Sequence, residues 1–295
     1  MLSEAEQVLV RYLDSSEAQT PKEESSSSHR RVICNTCRTS RSLYCPECLK
    51  ILLPRDQWPE AIRNGKVRLP FGHLDIVLDD RRTSATGVQV ATILQSVNAI
   101  FESSVSLFDK GKGDVLPSYD DSKEKGVYLL FPCASSEPLS SVLSSGRSLQ
   151  KLVVLDCKWS RSSVRLDPSI AKLPRIHLDN APQHSYYWRW HNAGDGMIST
   201  VEAIYFASWQ AATALGWTQK DRHELVHLLW LFGLQRQHIR HKYEVEAGKS
   251  FPSELPFDMD GKEQRRALRR KHPLRKKQHK ERAQELSTIQ NATVP

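Results

Sequence analysis

The chain has 295 residues, 39% of them hydrophobic and 26% charged, with a formal net charge of +8. That is enough apolar content for one sizeable core and a small appendage, which excludes a chain disordered throughout. The first residues, MLSEAEQVLVRYLDSS, carry acids early and hold no long apolar stretch, and the longest apolar run, HLLWLFGL from His227, is far too short to cross a bilayer. A secretory signal and a membrane segment are therefore not expected, and an intracellular protein is. The charge is unevenly placed: residues 262–282 hold 11 Lys or Arg and 2 acids, so the rest of the chain is close to neutral.

In chain order, residues 3–13 have the apolar spacing of a short amphipathic helix, and PKEESSSSHRR after it has linker composition. The body is expected to begin near Arg30. Short apolar runs read as strands: KVRLP (66–70), LDIVL (74–78), VYLLF (127–131), KLVVLD (151–156) and PRIHL (174–178). Between and after them lie helical stretches: TGVQVATILQSVNAIFESS from Thr86, TVEAIYFASWQAATAL from Thr200 and DRHELVHLLWLFGLQRQHIRHKY from Asp221. Continuous apolar strands separated by helices predict an α/β fold whose sheet is mostly parallel and flanked by helices, because such strands are buried on both faces. The expected divisions are 1–29, helix and linker; 30–52, a cysteine knuckle; 53–248, the main domain; and 249–295, a basic disordered tail.

CNTCRTSRSLYCPEC places Cys34, Cys37, Cys45 and Cys48 as two C-x-x-C pairs. Each such turn presents two thiolates to a common point, and tetrahedral Zn²⁺ takes four. Without a secretory signal a metal is favoured over two disulfides. All four positions are filled by protein, so the zinc would be structural. Arg38 and Arg41, on the segment between the pairs, are candidate phosphate contacts or solvated loop charges. Cys133 and Cys157 stand apart and read as small apolar residues.

VVLDCKW (153–159) ends a buried strand in an acid, a thiol, a cation and an indole. In parallel sheets ligands bind at the carboxyl ends of strands, so Asp156 and Trp159 are candidate site residues. The alternatives are that Asp156 accepts from backbone N–H groups of the following loop and that Trp159 packs in the core. Ser199 followed by Glu202 fits a capping box. That helix start, with Thr200 and its free N–H groups, is also a natural seat for a carboxylate, and GDG at 194–196 supplies the turn into it. Arg175 and Arg189 are candidate binders of a phosphate or carboxylate, with surface ion pairs as the alternative. Arg81, Arg82, Thr83 and Thr86 follow a second strand end.

The four-cysteine knuckle followed by GVYLLFP, VVLDCKW, KLPRIHL, SYYWRW and ISTVEAIYFA, in that order, resembles the DTW-domain family of tRNA-uridine aminocarboxypropyltransferases, within the TDD superfamily. The resemblance spans roughly Arg30 to Tyr243. It implies a SPOUT-like fold. It also implies transfer of the 3-amino-3-carboxypropyl group of S-adenosylmethionine to N3 of a tRNA uridine, giving the acp3U nucleoside and methylthioadenosine. The family motif Asp-x-Thr-Trp stands here as Asp156, Cys157, Lys158, Trp159, so Lys158 replaces the Thr. By this resemblance Pro132, Asp156, Trp159, Ser199 and Thr200 border the donor, and Asp156 is the base or the group that orients N3. Trp159 would offer a flat face for the adenine or the target base. Arg38, Arg41, Arg175 and Arg189 are then the candidate tRNA contacts.

The basic run fits both nuclear import and an electrostatic arm for RNA, so the expected location is the nucleus, with the cytoplasm as a second compartment. A competing reading is a non-catalytic zinc-knuckle RNA-binding or ribosome-assembly factor that keeps the fold after the change at Lys158. A third is a nuclear zinc-ribbon adaptor for another protein.

Overall fold

The computed structural model describes residues 2–15, 31–97, 104–119, 125–158, 166–187 and 197–241. Trp159, Arg189, the linker to residue 29, the glycine turn at 194–196 and the tail from 249 lie outside these residues.

The first helix, α1 (Glu4–Asp14), is closed at its start by Ser3 and Glu6, each accepting from the other's backbone N–H. Its apolar stripe, Ala5, Val8, Leu9, Tyr12 and Leu13, is buried in the main core, with Leu9 fully inaccessible. Tyr205 donates to the Ala5 carbonyl at 3.0 Å and Gln237 to the Leu13 carbonyl at 3.1 Å. The body therefore includes α1, ahead of the start expected near Arg30, because a stripe of that width is stable only when covered.

Two antiparallel pairs build the knuckle: β1 (Val32–Ile33) with β2 (Ser40–Arg41), and β3 (Tyr44–Cys45) with β4 (Lys50–Ile51). A short helix, α2 (Glu60–Arg63), follows. The strand expected at 66–70 does not form, although Val67 and Leu69 are buried. Packing satisfies the alternation without a ladder, and Pro70 has no N–H to donate to one.

The central sheet consists of β5 (His73–Leu78), β6 (Ser104–Asp109), β7 (Val127–Leu130), β8 (Glu137–Pro138), β9 (Lys151–Asp156) and β10 (Arg175–His177). Their order is β6-β5-β9-β7-β10-β8, and every adjacent pair is parallel. The helices are α3 (Gly87–Val97), α4 (Leu139–Ser144), α5 (Pro168–Ala171), α6 (Thr200–Ala214), α7 (Gln219–Glu224) and α8 (Trp230–His241). Leu74, Ile76 and Leu78 of β5 face the main core with α1, α3, α6 and α8, whereas Val77 joins Tyr119, Leu129, Val153 and Ile170 on the other face. Strands covered on both sides account for the apolar runs.

Two helical expectations differ in extent. The stretch expected from Thr86 to Ser104 is helical to Val97 among the described residues, and Ser104 already opens β6. The helix expected from Asp221 is divided into α7, a 3₁₀ segment at Leu225–Leu229 and α8, and all five residues of the 3₁₀ segment are buried. Among the described residues no helix is long and apolar enough to cross a membrane.

Candidate active site

β5, β6, β9 and β7 run in parallel, so their carboxyl ends share one edge of the sheet, and Asp156 is the last residue of β9. Its Oδ2 accepts the Gly87 N–H at 2.7 Å, and the Thr200 hydroxyl also hydrogen-bonds to the carboxylate. The starts of α3 and α6 thus meet on one carboxylate. Thr86 ties the two helix starts together by accepting the Val201 N–H at 3.3 Å. Among the described residues the backbone donors that Asp156 engages lie at the start of α3, about seventy residues before it in the chain.

Asp156 is only 6% exposed. Burial, aided by the charge of Asp80, pushes its carboxyl up from 3.8 to about 6, against the opposing pull of the Gly87 N–H and the Thr200 hydroxyl. A group poised there is largely ionised at neutral pH yet has a higher proton affinity than an exposed aspartate. Gly87 makes the arrangement possible. A Cβ at that position would lie 2.9 Å from Ile76 Cγ2 and 3.0 Å from Asp156 Oδ2.

The start of α6 is held by Glu202, which is fully buried. Glu202 Oε2 accepts from the Ser199 N–H (2.8 Å), the Ser199 hydroxyl (2.5 Å) and the Ser185 hydroxyl (2.5 Å), while Oε1 accepts from the Tyr186 N–H (2.6 Å). Burial raises its proton affinity and these four donors oppose that rise. The capping box read from the sequence is present, and the same carboxylate fastens residues 185–186 beside it. Arg236 then donates to the Tyr186 carbonyl at 3.0 Å.

At the end of β7, Pro132 is exposed, and Cys133 opens a turn closed by Ser136. Arg175 faces this turn. It lies 3.5 Å from Cys133 Sγ, donates to the Ala171 carbonyl at 3.4 Å and sits over the Phe131 ring at 5.9 Å. The Ser135 hydroxyl and the Arg175 guanidinium together lower the Cys133 thiol to about 7.

Lys158, in the position of the motif Thr, points to solvent and pairs with Asp80 at 3.3 Å. Beside it lies a cleft of about 620 Å³ bordered by Asp79, Arg81, Lys110, Lys158 and, from the knuckle, Glu47. Arg82 pairs with Asp109 at 2.9 Å and donates to the Glu47 carbonyl at 3.4 Å, and Lys112 pairs with the Glu47 carboxylate at 2.6 Å. The knuckle is thereby anchored to the strand-end loops.

The sulfurs of Cys34, Cys37, Cys45 and Cys48 all lie within 4.8 Å of one another, and none is in a disulfide. Cys37 and Cys45 approach to 3.4 Å. A tetrahedron with Zn–S near 2.3 Å places sulfurs about 3.8 Å apart, so the four thiols fit a zinc ion with no position left over. The backbone repeats the same device after each pair. Arg38 and Leu49, the residues just past Cys37 and Cys48, are left-handed at φ 60° and 51°. The Arg38 side chain is exposed, as a phosphate contact requires. Arg41 is half-buried, and its Nε is buried with no hydrogen-bond partner among the described residues.

The structure thus brings Asp156 and Thr200 into contact, with Ser199 bound to Glu202 one residue away. Pro132 follows the carboxyl end of β7, and Arg175 opens the neighbouring β10, with its side chain against Cys133. The contacts of Gly87 with Asp156 and of Thr86 with the start of α6 are not marked in the sequence. A glycine opening a helix 69 residues before the acid it touches carries no local mark of that contact.

The sequence model of the DTW domain family matches residues 31–237. No curated protein sequence matches the chain. A solved structure, that of the SAM-dependent rRNA:acp-transferase Tsr3 from Vulcanisaeta distributa, is similar over 68% of this chain and 97% of that one, at 18% identity and a TM-score of 0.32.

Proposed function

The chain belongs to the DTW domain family, and from that premise we propose that it transfers the 3-amino-3-carboxypropyl group of S-adenosylmethionine to N3 of a uridine in tRNA. The observation that carries this reading is Asp156 at the carboxyl end of β9, buried between two helix starts with its proton affinity raised to about 6. In the proposed step Asp156 takes the N3 proton and N3 attacks the donor's γ-carbon. The carbon–sulfur bond breaks, and its electron pair stays on sulfur, which leaves as the neutral thioether methylthioadenosine. The sulfonium's charge is cancelled by that pair. Preorganised N–H donors around Asp156 hold it in place and leave it little to reorganise.

Thr200 and Ser199 at the start of α6, Pro132 at the end of β7, and Trp159 are the proposed donor-binding residues. Arg38, Arg41, Arg175 and Arg189 are proposed for tRNA. The exposed position of Lys158 and its pairing with Asp80 support an active enzyme, since the lysine does not displace Asp156. The four cysteines would hold a zinc ion that fixes the knuckle. Nuclear location, with tRNA affinity from a basic arm, is proposed from the composition of residues 262–282. Truncation near Lys262 should weaken tRNA binding and flatten its salt dependence.

The by-product tests the chemistry. Incubation with tRNA and S-adenosylmethionine should yield methylthioadenosine by liquid chromatography. S-adenosylhomocysteine in its place would mean that a methyl group had moved and would refute the reading.

A further inference from the structure

The amino edge of the sheet, opposite the candidate active site, holds a cavity of about 620 Å³. It lies among the three turns that lead into β7, β9 and β10, and each turn brings one cation: Lys125, Arg147 and Lys172. All three are exposed, whereas Tyr119, Val127 and Leu173, which also border the cavity, are buried. The result is an apolar floor under a basic rim, and among the described residues no acid lines it. Arg147 is already paired, since Glu137 takes its guanidinium at 2.7 and 3.1 Å. Lys125 and Lys172 have no such partner among the described residues, so their charges are open to an incoming anion. Backbone bonds fix the turns in place. The Gly126 carbonyl accepts from the Gln150 and Lys151 N–H groups at 2.8 and 3.1 Å, and the Pro174 carbonyl from the Leu129 N–H at 3.0 Å. Beneath them Tyr119 donates to the buried Asp75 at 2.6 Å, and Lys151 sits over the Tyr119 ring at 5.4 Å. A cavity held in this way meets its ligand with little to reorganise.

A basic rim over an apolar floor suits a phosphate joined to a flat ring, and the volume is that of an ordinary ligand pocket. Proteins hold unpaired nucleotides by the same combination, with cations along the backbone and the base laid on apolar or aromatic side chains. We infer that this cavity takes an unpaired nucleotide of the RNA substrate, its phosphate between Lys125 and Lys172 and its base against the floor. The inference goes beyond the transferase reading. It rests on RNA being the substrate and requires no particular chemistry at Asp156. β9 crosses the sheet from Lys151 to Asp156, about 17 Å at the rise of a parallel strand. The nucleotide held here is therefore not the target uridine, and the cavity engages the RNA at a second point. A short stem-loop carrying only the uridine and its nearest neighbours would not reach it.

Fluorescence anisotropy on the full-length zinc-loaded protein would compare whole tRNA with such a stem-loop for wild type, Lys125→Glu, Lys172→Glu and Lys220→Glu. Lys220 is an exposed lysine of α7 outside this cavity and controls for net charge. All three lysines are exposed, so none of these substitutions threatens the fold. Lys125→Glu and Lys172→Glu should each weaken whole tRNA roughly ten-fold and flatten its salt dependence, with Lys220→Glu and the stem-loop close to the wild-type values. Equal weakening by all three variants, or by none, would overturn the inference, as would a stem-loop weakened as much as whole tRNA. Uridine monophosphate is the third ligand. If Lys125→Glu and Lys172→Glu weaken the mononucleotide and leave tRNA untouched, the cavity serves a free nucleotide and the assignment to RNA falls. The expected pattern on tRNA without any aminocarboxypropyl-uridine formed would keep this inference and overturn the transferase reading, so the two fail separately.

Discussion

A methyl group added at Gly87 would sit within 3.0 Å of both Ile76 and the Asp156 carboxylate, so Gly87→Ala must push the start of α3 away from β9. The expected cost is about 1–3 kcal/mol of stability, read by urea unfolding, together with loss of transfer. Asp156 makes a second prediction through pH. Its folded value of about 6 lies above the unfolded 3.8, so the folded state binds the proton more tightly. Ionising the group in place therefore lowers stability progressively as pH rises from about 4 to about 6. Asp156→Asn should remove that component from the pH dependence of unfolding. For transfer the sign reverses. The base is available only when ionised, so the rate should fall on the acid side with a midpoint near 6, measured as a pH–rate profile. Asp156 itself was legible in the sequence because an acid ending an apolar strand is conspicuous. Gly87 was not, since what distinguishes it is contact across the fold, against β9.

At the level of elements, α6 carries the clearest agreement between sequence and structure. Ser199 and Glu202 announce its start, and the structure has the capping box there. What spacing could not convey is that Glu202 reaches sideways to Ser185 and Tyr186 as well. Glu202→Ala would leave these donors and the Ser199 N–H unpaired in a dry site, at a cost on the order of 3 kcal/mol. The same variant should lose donor affinity, because Thr200 loses its register against Asp156. Thermal unfolding and donor titration read the two effects separately. β6 and β8 escaped the sequence reading for different reasons. SVSLFD follows an apolar helix with no break to mark the change of period, and β8 is only two residues long. Within the helix expected from Asp221, the chain passes from α-helix into 3₁₀ geometry at 223–227. His223 stacks on Trp209 and His227 Nδ1 faces the Glu224 carbonyl. Among the described residues the group able to hold a metal is the four cysteines.

Across the whole molecule, the knuckle and the sheet share one edge through the Glu47 contacts with Arg82 and Lys112 and through Tyr44, which packs against the main core. Zinc removal is therefore expected to reach beyond the knuckle. Chelation should lower the melting temperature of the main domain by several degrees and weaken donor binding, both followed during titration with a chelator and reversed by added zinc. The α/β class and the parallel sheet were legible because strands buried on both faces leave unbroken apolar runs such as KLVVLD. The place of α1 in the core was hidden by the linker composition after it, which suggested a separate arm. The central claim, that this sheet edge transfers an aminocarboxypropyl group to a tRNA uridine, is tested most directly by nucleoside mass spectrometry. Undermodified tRNA would be incubated with S-adenosylmethionine and either wild-type protein or Asp156→Asn, which keeps an acceptor for the Gly87 N–H but is no base. Aminocarboxypropyl-uridine formed by wild type and abolished in the variant is the predicted result. Absence of the modified nucleoside with folded, tRNA-bound wild-type protein would contradict the account and leave a binding factor built on the same fold.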